Sequence, residues 1–133
     1  MNFKNQTIVI TGGAGGIGLA IAHIVQENGG IPMLLDMNLE KLEEAKKDLK
    51  LKDSIIKLDV TDENDLKLAL NIALKKLPPI TGLVCSAGKA PIPKRIEDTE
   101  LREWNNIIDS HLTGTFLSCK IFGGHMAKLG KGS

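Results

Sequence analysis

A glycine-rich turn carries the clearest chemical signal in this sequence. Thr11-Gly12-Gly13-Ala14-Gly15-Gly16-Ile17-Gly18 follows the β-branched stretch 7–10 and precedes a helical pattern of apolar residues. The N–H groups in the first turn of a helix lack intrahelical partners, and the helix dipole favours an anion beside them. Glycines let the chain turn sharply and let a phosphate approach the backbone. The pattern therefore predicts a phosphate-binding turn between a strand and a helix.

Asp36 is a second, independent candidate. It lies 18 residues beyond Gly18 and ends the apolar run 31–36. A carboxylate at this place accepts hydrogen bonds from ribose hydroxyls and repels a 2′-phosphate. Together the turn and Asp36 predict a dinucleotide site that prefers NAD to NADP. The alternative is a turn-forming glycine cluster followed by an ordinary aspartate at a strand end.

Two further groups stand at predicted strand ends. Asp59 and Val60 follow the third apolar run, where the carboxylate could reach an adenine amino group and the valine could flank the ring. Asp59 could equally cap the next helix. Ser86-Ala87-Gly88 ends the fourth run. Its small residues leave room for a ribose, or they simply form a tight turn.

The elements that must position these groups alternate along the chain. Apolar runs predict strands at 6–11, 31–36, 54–60 and 81–86. Helical patterns predict helices from Gly16 to about 28, after an Asn38 N-cap, after a Thr61 N-cap, and over 100–128. Residues 89–99 are predicted as a loop. Strands that alternate with helices indicate a parallel sheet covered on both faces.

The last predicted helix is apolar on more than one face. Such a helix needs a partner beyond the sheet, either a later strand and helix or another subunit. Its large apolar residues are Trp104, Ile107, Ile108, Leu112, Phe116, Leu117, Ile121 and Phe122.

Composition excludes several classes of function. The net charge of +1 among 133 residues gives no reason to expect a nucleic-acid partner or a membrane surface. We see no apolar run long enough to span a bilayer and no signal peptide. The two cysteines have no metal-ligand spacing, so we expect no metal site, and they favour a reduced, cytoplasmic setting.

Three segments together resemble the short-chain dehydrogenase/reductase family. Thr11-Gly12-x-x-x-Gly16-x-Gly18 is similar to its cofactor signature, and Cys85-Ser86-Ala87-Gly88 falls where the family has Asn-Asn-Ala-Gly. Trp104 and His111-Leu112-Thr113-Gly114-Thr115-Phe116 look like its Trp…Asn-Leu-x-Gly-x-Phe helix. The resemblance covers the whole chain in order. It implies a Rossmann-type, doubly wound α/β fold and an NAD(P)-dependent oxidoreductase that acts on small alcohols and carbonyl compounds as a homodimer or homotetramer.

The resemblance also implies roles for individual positions. The pyrophosphate loop would be formed by Gly12, Gly15, Gly16, Ile17 and Gly18. The adenosine would be met by Asp36, Met37, Asp59 and Val60, and the ribose beside the nicotinamide by Ser86, Ala87 and Gly88.

His111 stands where the family has a catalytic asparagine that helps to hold a water in a proton relay. An imidazole also forms hydrogen bonds and titrates near neutral pH, so a relay role for His111 is possible. The alternative is a helix histidine whose ring is satisfied by the backbone.

The family's catalytic Ser and Tyr-x-x-x-Lys motif have no counterpart here, and the sequence contains no tyrosine. In the family these residues follow a fifth strand. We therefore expect residues 1–133 to be one NAD-binding domain, the N-terminal part of a longer enzyme, with a sheet truncated after the fourth strand and its helix. By themselves these residues should be inactive. The rival interpretation is a non-catalytic NAD-binding or oligomeric interaction module.

Overall fold

Four parallel strands form the centre of the structure, a computed structural model that describes residues 2–133. The strands are β1 (Thr7–Thr11), β2 (Ile31–Asp36), β3 (Ile55–Lys57) and β4 (Ile80–Cys85). Their order in the sheet is β3-β2-β1-β4. The chain moves outward from β1 to β3 and then returns to the other side of β1, which confirms the doubly wound parallel sheet.

Helices follow each strand. The first three are α1 (Gly16–Glu27), α2 (Leu39–Asp48) and α3 (Glu63–Lys76). After β4, the segment 89–99 is irregular except for a 3₁₀ turn at Ile96–Asp98. The chain then forms one long helix over residues 101–129, made of α4 (Leu101–Ile108), α5 (Gly114–Ser118) and α6 (Gly124–Leu129). Two π turns, Asp109–Thr113 and Cys119–Gly123, join these three pieces. The sequence predicted the extent of this helix but not its π turns.

The sheet buries both of its faces. All five residues of β1 are buried, as a strand covered on both sides requires. Helices α1 and α2 cover one face, where Ile10, Leu34 and Leu42 are packed together. Helix α3 and the long helix cover the other face, where Phe122 is fully buried.

Local signals at the helix ends were predicted with mixed success. Asn38 is the N-cap of α2, and its side chain accepts a hydrogen bond from the Lys41 N–H, as expected. The prediction that Thr61 caps α3 is wrong. Asp62 is the cap, and its carboxylate accepts from the N–H groups of Asn64 and Asp65. A carboxylate is also favoured at this end by the helix dipole.

The third strand is shorter than the predicted 54–60. β3 pairs only with the last three residues of β2, and the chain then bends so that Leu58 N–H donates to the Asp36 carbonyl. Leu58 and Val60 remain buried although they lie outside the strand. Their apolar pattern therefore reported burial and not strand pairing.

The end of the long helix returns the chain to the sheet. Gly130 adopts a left-handed conformation (φ +65°) and ends the helix. Ser133 then lies beside β4. Its N–H donates to the Thr81 carbonyl, and its carbonyl accepts from the Leu83 N–H. Within residues 2–133, no helix combines the length and the apolar character needed to cross a bilayer.

Candidate functional site

A cleft of about 300 Å³ opens at the carboxyl ends of the strands, where the strand order reverses between β1 and β4. We call it the strand-end cleft. Ligands of open α/β sheets bind at this kind of position. Nine residues that the sequence singled out lie in its wall: Gly12, Gly15, Asp36, Met37, Asp59, Val60, Ser86, Ala87 and Gly88.

The glycine turn is packed too tightly to accept side chains at Gly12, Gly13 and Gly18. Gly12 has a φ of +63°, and a Cβ there would lie 2.6 Å from the Ser86 carbonyl oxygen. A Cβ on the buried Gly18 would collide with the carbonyl of Gly12. These contacts bring the turn, α1 and the end of β4 into one rigid unit.

The start of α1 is open to a ligand. Gly15 is its N-cap and offers no side chain to the free N–H groups, and no acidic residue lies in the first turn. A Cβ on Gly16 would meet nothing within 4 Å, and the Ile17 side chain is 74% exposed. Gly16, Ile17 and Gly18 thus lie at the helix start, next to the cleft wall and not in it. Unpaired N–H groups with open space before them suit a phosphate.

The carboxylate of Asp36 is held in a fixed orientation at the cleft. Its Oδ2 accepts from the Ala14 N–H at 3.2 Å, and its Oδ1 accepts from the Asn38 N–H at 3.0 Å. The first of these bonds joins β2 to the glycine turn. Each carboxylate oxygen retains acceptor capacity after one hydrogen bond. Asp36 can therefore accept two hydroxyl groups from a ligand in the cleft.

Asp59 does not cap α3. Its Oδ1 accepts from both the N–H and the hydroxyl of Thr61, at 2.9 and 2.7 Å. These two bonds close a tight turn from Asp59 to Thr61 beside the cleft. Val60 is 6% exposed, and a Cβ on Gly114 of the long helix would press against it. The Thr61 bonds to Asp59 and the packing of the long helix on Val60 therefore fix this part of the cleft wall.

Hydrogen bonds join the ends of β4 and β1. The hydroxyl of Ser86 donates to the Thr11 carbonyl at 2.6 Å, and the Ala87 N–H donates to the Thr11 hydroxyl at 3.3 Å. Ser86 stands where the family has an asparagine. Its hydroxyl anchors the strand end to β1 and leaves the cleft above it free of a longer side chain.

His111 lies beside the cleft and not in its wall. Its Nε2 is 3.1 Å from the Lys89 carbonyl, and its ring lies against Gly88, where a Cβ would collide with it. Because a carbonyl only accepts, Nε2 carries the proton in this contact. Nδ1 is then the nitrogen that is available to accept a hydrogen bond.

Sequence reasoning missed the contribution of the long helix to the cleft. Asn106, Asp109 and Ser110 lie in the wall, at the i, i+3, i+4 spacing that places residues on one helix face. That spacing was the available signal. Ser110 is buried, and its hydroxyl donates to the Ile107 carbonyl and accepts from the Lys89 N–H. The remaining wall residues that were missed are Leu35, Leu58, Thr61 and Lys89.

Cys85 ends β4, and its thiol is close to that of Cys119 on the long helix. Desolvation by the surrounding protein, with the neighbouring Cys119, raises the pKa of Cys85 to about 11. The thiol form therefore predominates at neutral pH. Residues 2–133 contain no group of three or more His, Cys, Asp or Glu side chains arranged to hold a metal ion.

The family model described as short chain dehydrogenase matches residues 6–133. The chain belongs to the short-chain dehydrogenase family. This match confirms the family that the sequence motifs resembled.

Individual short-chain dehydrogenases show the same relationship. The chain is 35% identical over 120 residues to 2-(S)-hydroxypropyl-CoM dehydrogenase 3 of Xanthobacter autotrophicus, covering 88% of this chain and 47% of that protein. It is 30% identical over 131 residues to an NAD-dependent glycerol dehydrogenase of Listeria innocua, covering 98% of this chain and 51% of that protein. The crystal structure of NAD⁺-bound xylitol dehydrogenase matches with a TM-score of 0.92 at 27% identity, covering 99% of this chain and 52% of that one. The chain spans about half the length of the curated relatives it matches.

Proposed function

We propose that residues 1–133 form one NAD-binding domain and hold the dinucleotide in the strand-end cleft. The observation that carries this proposal is the hydrogen bond from Ala14 N–H to Asp36 Oδ2, because it fixes a ribose acceptor against the phosphate-binding turn. A ligand that carries a phosphate and an adjacent ribose would meet both groups at once.

The residues present fit such a group. The pyrophosphate would lie at the N-terminus of α1, along Gly12, Gly15, Gly16, Ile17 and Gly18, where Gly16 leaves open space. The adenosine would lie along Asp36, Met37, Asp59 and Val60, and the second ribose along Ser86, Ala87 and Gly88. When bound, NAD supplies the acceptor or donor of a hydride.

We propose that the whole protein is an oxidoreductase that transfers hydride between NAD(H) and a secondary alcohol or ketone. The short-chain dehydrogenase match and the relative described as NAD-dependent glycerol dehydrogenase support this proposal over a non-catalytic binding module. Within residues 1–133, His111 would serve as an accessory of the proton relay, with Nδ1 as the atom available to accept a hydrogen bond. The remaining acid–base groups are not among these residues, so this segment alone should bind cofactor without turnover.

The exposed side of the long helix supports assembly into a homodimer or homotetramer. Leu112 and Phe116 are 66% and 60% exposed, respectively. Large apolar side chains on one element are typical of protein interfaces. A cytoplasmic location also stays a prediction.

The test is a pair of calorimetric titrations with NAD and NADP. We expect NAD to bind at least about tenfold more tightly, since Asp36 bonds ribose hydroxyls and repels a 2′-phosphate. Asp36→Ala should remove this preference, whereas Asp53→Ala, an exposed acid away from the cleft, should retain it. Equal affinities for NAD and NADP in the unmodified protein would contradict the proposal.

A further inference from the structure

A second cavity, of about 460 Å³, adjoins the strand-end cleft. We call it the loop cavity, because the segment 89–99 forms one wall and the start of the long helix forms the other. Its lining is mainly apolar and includes Pro91, Ile92 and Trp104. Lys89 and Asn106 line both cavities, so the two meet at these residues. A molecule in the loop cavity would therefore have one end at the strand-end cleft.

The charged side chains that line the loop cavity leave a net positive charge. Lys94 donates two hydrogen bonds to the Glu103 carboxylate, at 2.7 and 2.5 Å. Glu103 also accepts from the Glu100 N–H in a capping box, and these two donors lower its pKa. Lys94 and Glu103 thus neutralise each other in a fixed position.

Lys89 is the cation that remains. Across residues 2–133, no carboxylate lies within 4 Å of its ammonium group. Its backbone is nevertheless fixed, because its N–H donates to Ser110 and its carbonyl accepts from His111. A lysine that is anchored at its main chain and unpaired at its side chain is available to a ligand anion.

We propose that the loop cavity binds the apolar body of an alcohol or carbonyl substrate that carries an anionic group, and that Lys89 is the residue that selects this anion. This inference rests on the proposed function, since it places the substrate next to the dinucleotide. The apolar lining suits a hydrocarbon body, and the uncancelled positive charge lies where the two cavities join. Lys89 is a specificity-determining residue in this arrangement and takes no part in hydride transfer.

Trp104 makes the proposal measurable without turnover. It is the one tryptophan of the sequence and lines the loop cavity, so its fluorescence reports occupancy. The probes are phenylacetate and phenylacetamide, which share a shape and differ in charge. With saturating NAD, we expect phenylacetate to bind at least about fivefold more tightly than phenylacetamide. Lys89→Met should abolish this preference, and Lys75→Met, on the distant α3, should preserve it.

The outcomes separate the two proposals. If NAD binds but phenylacetate has no advantage, or keeps its advantage in Lys89→Met, the inference is overturned and the proposed function stands. If NAD does not bind, the proposed function fails and the inference falls with it. If Trp104 emission without probe changes with protein concentration as the protein associates, a second copy covers the cavity and the inference is overturned.

Discussion

The imidazole of His111 lies directly against Gly88, with Nε2 3.1 Å from the carbonyl of Lys89. One contact between the long helix and the segment after β4 is thus made by a ring and a residue without a side chain. Sequence reasoning left two alternatives for His111, a relay residue or a ring satisfied by the backbone. The structure provides the backbone partner for Nε2 and leaves Nδ1 available to accept a hydrogen bond, so the two roles are compatible.

Gly88→Ala tests this contact. A Cβ at position 88 would collide with the imidazole, and we expect a loss of about 1–3 kcal/mol in the free energy of unfolding. Urea unfolding measures the loss, and the NMR shifts of the imidazole nitrogens report displacement of the ring. In a His111→Ala background the added methyl has room, so Gly88→Ala should cost much less there. The same cost in both backgrounds would show that the ring is not what excludes a side chain.

Two phenylalanines of the long helix provide a matched pair for the core. Phe122 is 0% exposed and Phe116 is 60% exposed. Phe122→Ala should lower the free energy of unfolding by about 3–5 kcal/mol, because it removes buried apolar contacts and leaves a cavity. Phe116→Ala should change it by less than about 0.5 kcal/mol in the monomer. Equal losses of stability for the two variants in urea unfolding would show that the packed face of the helix is assigned wrongly.

The pKa of Cys85, raised to about 11, predicts a thiol that reacts slowly with electrophiles and whose reaction rate depends on pH. At pH 7.5 its alkylation by iodoacetamide, followed by peptide mass spectrometry, should be more than about tenfold slower than that of an unperturbed cysteine. Cys119→Ala removes one cause of the shift and should accelerate the reaction.

The same shift has a consequence for stability. The folded state holds the Cys85 proton more tightly than the unfolded state, whose thiol has an ordinary pKa of 9.0. The contribution to stability is therefore complete below about pH 9 and is lost as the pH rises towards 11. A Cys85→Ser variant should lack this component of the alkaline decline in melting temperature. A decline of the same size in both proteins would contradict the assignment.

The sequence was most informative where a function depends on neighbours in the chain. The glycine turn and Asp36 were predictable because a strand, a turn and a strand end have local signatures. The N-cap of α3 was misplaced by one residue, since Thr61 and Asp62 are both good caps and only the partner of Thr61, the Asp59 carboxylate, decides between them. Chemical type alone could not supply that choice.

The contribution of the long helix to the site was missed for a different reason. Asn106 and Ser110 reach the cleft only because the helix packs across β4 and α3, which is a property of tertiary structure.

The two π turns keep the buried residues of the long helix on one side of it. Buried residues recur at every fourth position: Ser110, Gly114, Ser118, Phe122 and Met126. An α-helix advances about 100° per residue, so each step of four overshoots by about 40°, and a regular helix would carry Met126 to the opposite side. Each π turn holds one more residue than an α turn and cancels the accumulated error.

The π turns therefore keep Ser110, in the cleft wall, and Phe122, in the core, on the same side of the helix. In a regular α-helix these two residues, twelve positions apart, would lie about 120° apart around the helix axis, and Phe122 would turn away from the core. The orientation of Ser110 in the cleft wall therefore depends on how Phe122 packs three turns later. The number of residues in this helix, as well as their chemical type, determines the site.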